Sequence, residues 1–120
     1  MTLYLSLEDL LTLAGDLGVG PVRDLGLLDA AAHRPQVELY AEQAYPGLDT
    51  KAAALLESIV RNHALVDGNK RLGWLATVVF CGLNDVALDA PDDDAYELVM
   101  AIARSEPTVE AVARVLGSWH

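Results

Sequence analysis

Cations are scarce in this chain: eight Lys and Arg stand against eighteen Asp and Glu in 120 residues, a net charge of −10. So few basic groups cannot build the continuous face that neutralising a phosphate backbone requires, and direct nucleic-acid binding is excluded. Cysteine is limited to Cys81, which rules out an intramolecular disulfide. Its position inside the apolar run VVFCGL reads as a buried thiol in a reducing compartment. Aromatic residues make up only 6% of a chain that is 52% hydrophobic. The core must therefore come from Leu, Val and Ala, a mixture that favours helices. The opening MTLYLSLEDLL carries Glu8 and Asp9 among its leucines, so it reads as neither a membrane span nor a secretory leader, and the expected location is cytoplasmic. With no internal repeat and no low-complexity tract, one domain over residues 1–120 is expected.

What is present reads as a series of helices. Ser6 is a candidate N-cap for a first helix with Leu7, Leu10, Leu11 and Ala14 on one face and Gly15 at its end. The glycines at 15, 18 and 20 do not follow the order of a dinucleotide fingerprint, and GDLGVGP reads as a connection. Pro21 and Asp24 introduce a second helix over Leu25 to His33, with Leu27, Leu28 and Ala31 toward the core. From Arg34 to Leu48 the pattern weakens, interrupted by Pro35, Pro46 and Gly47, and reads as either an extended loop or a short helix. Loops of this length in compact domains usually bind something. Asp49 or Thr50 is the expected cap of a third helix running to about His63. The run from Asn69 to Leu83 is apolar almost all round and is the expected central helix. Pro91 and the acids Asp92, Asp93 and Asp94 suit the start of a fifth helix, and Thr108 caps a sixth whose stripe ends at Leu116 before Gly117.

Residues His63 to Arg71, HALVDGNKR, gather a histidine, an aspartate, a glycine, an asparagine and two cations into nine positions. Three of the eight cations, Arg61, Lys70 and Arg71, lie in or beside this stretch. The first turn of a helix normally favours acids, because its unpaired amides carry partial positive charge. Lys70 and Arg71 at such a place are mutually unfavourable unless an anion binds between them. Gly68 allows close approach of the backbone, so the amides of 68 to 71 suit a phosphate cradle. Asp67 is a hard oxygen donor suited to Mg²⁺, Asn69 can orient an oxygen, and His63 is the available general base for a hydroxyl. Taken singly, each residue has a plain structural reading as a cap, a turn residue or a solvated charge. Together they describe phosphoryl or nucleotidyl transfer. His33 and His120 show no metal-ligand spacing with His63 or Cys81, so no zinc site is expected. Trp74 and Trp119 read as packing residues.

HALVDGNKR resembles the signature of the Fic/Doc superfamily, His-x-Phe-x-(Asp/Glu)-Gly-Asn followed by Gly or Lys and then Arg, and Lys70 places it nearest the Doc (death-on-curing) branch. The stretches RDLGLLDAA from Arg23, RPQ from Arg34 and KAAALLESIVRNH from Lys51 are similar to Doc-type sequences as well. The resemblance implies an all-α bundle of about six helices around a central buried helix, with a small flap before the third. It also implies that His63 deprotonates a target hydroxyl, Asp67 binds Mg²⁺, and Gly68, Asn69, Lys70 and Arg71 hold the phosphates of ATP, with Lys70 and Arg71 stabilising transferred charge. The activity implied is that of a toxin kinase acting on a Thr or Ser of elongation factor Tu, restrained in trans by a Phd-like antitoxin. The alternatives are AMP transfer to a protein hydroxyl and a catalytically silent antitoxin-binding relative. Leu65 stands where the signature has Phe, Ala64 where Pro is frequent, and Trp74 where adenylyl-transferring relatives commonly carry a second Arg. The inhibitory motif of the family, Ser or Thr followed four residues later by Glu and then Gly or Asn, has no match. The segment Arg34 to Leu48 is the expected flap.

Overall fold

Ser6 starts the first helix, α1 (Leu7–Leu17), through a reciprocal cap in which its hydroxyl accepts from the Asp9 N–H and the Asp9 carboxylate accepts from the Ser6 N–H. The computed structural model describes residues 1–120. Gly15 does not end α1. The helix continues to Leu17 and stops at Gly18, whose left-handed φ of 70° turns the chain. Leu13 and Leu17 extend the face that packs on the core, and that packing outweighs the helix cost of one glycine.

Asp24 caps α2 (Leu25–His33) by accepting from the Leu27 N–H. Its buried side chains are Leu28, Ala31 and Ala32, while Leu27 is exposed. The weakly patterned segment contains a 3-10 turn at Arg34–Gln36 and a minimal hairpin, β1 (Glu38–Leu39) antiparallel to β2 (Glu42–Gln43). Tyr40 and Ala41 turn the hairpin with positive φ at both positions, the conformation a two-residue loop between twisted strands demands.

Helix α3 (Leu48–Asn62) follows, then α4 (Asn69–Leu83), α5 (Asp92–Ala103) and α6 (Val109–Gly117), giving a six-helix all-α architecture with the hairpin before α3. Neither Asp49 nor Thr50 caps α3. Gly47 holds the N-cap position at φ 82° without a side-chain bond, because the helix begins two residues earlier than a cap at Asp49 implies. Thr108 caps α6 as expected, accepting from the Ala111 N–H. Gly117 is the last residue of that helix rather than a residue beyond it, and a Cβ there would meet Asp49 Oδ2 at 2.9 Å.

The helix on which the others gather is α3, not α4. It packs against α2, α4, α5, α6 and the 3-10 turn, and it buries Lys51, Ser58 and the apolar side chains from Ala52 to Val60. Its small residues Ala52, Ala53 and Ala54 let neighbours approach from several sides. Helix α4 buries one face, including Leu72, Ala76, Phe80 and Cys81, and leaves Trp74, Leu75, Val78 and Val79 partly open. Hydropathy alone could not separate a helix surrounded by protein from one whose apolar second face lines a cleft. Gly73 makes the α3–α4 contact close, since a Cβ there would stand 2.9 Å from Val60 Cγ2. The core is mostly Leu and Ala with some Val, as composition demanded, and Phe80 is its only fully buried aromatic.

Candidate active site

Between α3 and α4 the chain makes a short loop, and neighbouring backbone holds it along its length. The Val19–Asp24 segment lies beside it: the Arg23 and Asp24 N–H groups donate to the Ala64 carbonyl, the Val66 N–H to Pro21, and the Gly20 N–H to Asp67. Val22 and Leu65 form an isolated antiparallel bridge. Ala64 and Leu65 are buried at 2% and 1% exposure and anchor the loop in the core, while Val66 is exposed and lines the cleft. Leu65 fills the plug position in place of Phe.

His63 ends α3 in the left-handed region, φ 52° and ψ 44°. For a residue with a Cβ this conformation is strained by about 1 kcal/mol or more. It is held by the Arg23 guanidinium, which donates to the His63 carbonyl. The ring itself is exposed and lines a cleft. Sequence reasoning gave Arg23 no role beyond its place in a family-like stretch. A basic side chain just ahead of a helix cap, in a chain short of cations, was the signal available.

Asn69 serves the loop with its side chain. Its Oδ1 accepts from the Leu65 N–H and its Nδ2 donates to the Leu65 carbonyl, each at 3.0 Å. The amide thus staples both buried backbone groups of Leu65. What Asn69 can offer a phosphate is its backbone N–H.

Gly68 begins α4 at φ 93° without a side-chain cap, and the first intrahelical bond runs from the Leu72 N–H to the Gly68 carbonyl. The amides of Asn69, Lys70 and Arg71 therefore have no helical carbonyl to bond. Lys70 and Arg71 are exposed and neither forms a salt bridge, whereas Arg34, Arg61 and Arg104 each pair with a glutamate. Arg61 is one of those: it pairs with Glu57 and donates to the Ile102 and Pro107 carbonyls, so it belongs to the scaffold and not to the site.

His63, Asp67, Gly68, Asn69, Lys70 and Arg71 all line one cleft of about 910 Å³. Its floor is the open face of α4 with Trp74, Leu75 and Val78, and its far wall is α5, including Tyr96 and Met100. Trp74 packs edge-on against Trp119, with ring centroids 6.0 Å apart. Asp92 also reaches the cleft, a placement that its reading as helix-start chemistry had not suggested.

These residues fit a phosphate-bearing ligand. Unpaired amides, two unpaired cations and a glycine whose Cβ would collide with Val19 leave a cationic cradle at the mouth of an apolar cleft. No group of three or more His, Cys, Asp and Glu is placed to hold a metal by itself. Asp67 can therefore serve Mg²⁺ only in the manner usual for nucleotide sites, one carboxylate sharing the ion with phosphate oxygens and water. No helix is long and apolar enough to cross a membrane.

Comparison with known proteins agrees with this geometry. The family model described as Fic/DOC family matches residues 4–81. The chain is 48% identical over 124 aligned positions to a protein of Mycolicibacterium smegmatis (strain ATCC 700084 / mc(2)155) named Toxin Doc, covering 99% of this chain and 95% of that protein. Match and geometry meet on the same loop, and the chain belongs to the Fic/Doc family.

Proposed function

We propose that this protein is a Doc-type toxin that transfers the γ-phosphate of ATP to a Thr or Ser hydroxyl of a translation factor of the elongation factor Tu kind. In this reading a Phd-like antitoxin restrains it in trans. The observation that carries the reading is the pair of unpaired cations, Lys70 and Arg71, in the first turn of α4 beside three free amides, one short loop from His63. That arrangement favours an anion in the cleft and gains most when charge spreads over a transferring phosphoryl group.

His63 takes the proton of the substrate hydroxyl at its imidazole. The hydroxyl oxygen then forms a bond to the γ-phosphorus as the bond to the β,γ-bridging oxygen breaks, and ADP leaves with the electron pair. Lys70 and Arg71 stabilise the oxygens on which negative charge collects. Asp67 would hold Mg²⁺, which when bound neutralises phosphate charge. Asn69 positions the loop through Leu65 and contributes its backbone N–H, as Gly68 does. Lys70 beside the cradle and Trp74 in place of a second arginine favour phosphate over AMP as the group moved. The hairpin before α3 is the docking edge for the substrate backbone.

The test uses ATP labelled at either the α or the γ position, incubated with the protein, Mg²⁺ and elongation factor Tu. Label arriving from γ alone is expected. Label retained from the α position overturns phosphoryl transfer in favour of AMP transfer. No label from either, with antitoxin binding intact, makes the protein a silent partner.

A further inference from the structure

Lys51 is the most deeply buried cation of the chain, at 3% exposure, and it forms no salt bridge with any carboxylate. An ammonium in such a place is costly, and an apolar side chain of similar length would serve the packing of α3 better. Burial lowers its pKa, in keeping with that cost. What Lys51 has instead is oxygen acceptors. Its Nζ donates to Gln43 Oε1 and to the Tyr45 carbonyl, both at 2.6 Å, with the Pro35 carbonyl farther away at 3.5 Å.

All three acceptors belong to the segment that carries the hairpin. Pro35 lies in the turn that leads into it, Gln43 is on β2, and Tyr45 is on the way out. Gln43 pairs with Glu38 across the hairpin, and the Ala44 N–H donates to the Val37 carbonyl. Lys51 therefore ties the register of the hairpin to the first turns of α3. The far end is untethered, with Leu39 and Tyr40 exposed at its tip. A cleft of about 620 Å³ extends from Val37, at the foot of the hairpin, to Asn62, the residue preceding His63.

We propose that Lys51 is a positioning residue for the protein substrate: by latching Gln43 and the foot of the hairpin onto α3, it sets the hairpin edge at a fixed place relative to His63. The proposal rests on the transfer activity argued above. A substrate segment lying along that edge then arrives with its hydroxyl in register. An unlatched hairpin meets the same segment only after being ordered, and that cost falls on substrate binding. The side chains that hold phosphate are untouched by the change.

Two variants of the full chain test it, Lys51→Met and the milder Gln43→Leu, which alters an exposed side chain. Each is expected to raise KM for the protein substrate about tenfold while leaving kcat at saturation and ATP affinity as in the parent, the pattern of lost binding without lost chemistry. Gln43→Glu keeps an oxygen for Lys51 and is expected to hold KM within about twofold of the parent. Hydrogen exchange supplies a second readout, with amides of residues 37–44 exchanging faster in both latch variants and those of α4 to α6 unchanged. Unaltered exchange and KM in Gln43→Leu overturn the latch, as does a loss confined to kcat. If the parent transfers no label, the failure lies with the proposed activity, and exchange alone then decides whether Lys51 holds the hairpin.

Discussion

A Cβ added to Gly68 would meet Val19 Cγ1 at 2.5 Å, so the connection after α1 and the first turn of α4 are packed to the limit of what glycine permits. The backbone there has φ 93°, a conformation a larger residue resists in its own right. Gly68→Ala is therefore expected to cost about 2–4 kcal/mol, combining backbone strain with overpacking. Denaturant unfolding measures that loss, and nucleotide binding should weaken with it because the cradle amides are displaced.

His63 combines an exposed ring with a strained backbone. Removing the ring should leave stability within about 1 kcal/mol of the parent, since it makes no hydrogen bond and buries little. His63→Gly should be as stable as His63→Ala or more so, because glycine accepts φ 52° without strain. Both variants should lose transfer and toxic growth arrest. A toxic His63→Ala protein would remove this side chain from the chemistry.

Asn69 is the sole hydrogen-bond partner seen for the Leu65 N–H and carbonyl, and Leu65 is buried. Asn69→Ala leaves both groups unsatisfied, at an expected cost of about 2–4 kcal/mol. Asn69→Asp restores only the acceptor and brings a negative charge to the cradle. It should bind ATP more weakly than its stability alone would suggest, as comparison of thermal melting with titration calorimetry would show.

Glu57 on α3 is shared by Arg34 of the 3-10 turn and Arg61 one turn farther along its own helix. One carboxylate oxygen accepts from Arg34 at 2.7 Å and the other pairs with Arg61 at 3.1 Å. Burial works against the Arg34 charge, but hydrogen bonds to Glu57 and Tyr45 hold the guanidinium above its usual range. Glu57→Gln should destabilise by about 2 kcal/mol, because two half-buried cations lose their counter-charge. Chemical unfolding at low and high salt tests this, and the loss should persist in salt more than a surface pair would.

Burial raises the Cys81 thiol, with Asp49 adding to the effect, from 9.0 to about 11. The folded state thus retains a proton that the unfolded chain gives up. Between those values stability should fall as pH rises, and it should be unaffected by this group below them. Iodoacetamide at about pH 8 should label the unfolded chain and spare the folded one. Rapid labelling of the native protein would contradict the burial of Cys81 in the core.

The helices were legible because their signals are local. Ser6, Asp24 and Thr108 cap through their own side chains within three residues, and the α4 boundaries follow from Gly68 and the apolar run after it. Gly15 and Asp49 misled because the same residue types serve other ends, a helix interior in one case and a hydrogen bond with the His120 ring in the other. Which helix is central was not legible, since α3 is chosen by how many neighbours its small residues admit.

The motif from His63 to Arg71 is a property of the sequence by itself: its residue types, spacing and place before an apolar run are what the proposal of a phosphate site with a base beside it starts from. Only the tertiary structure decided how those residues divide their work. Asn69 turns its side chain to Leu65, Arg61 is drawn into the scaffold, and Arg23, forty residues distant, braces the His63 carbonyl. The reason is that a polar side chain meets whichever buried donor or acceptor the fold leaves unpaired. Chain order does not record which groups those will be.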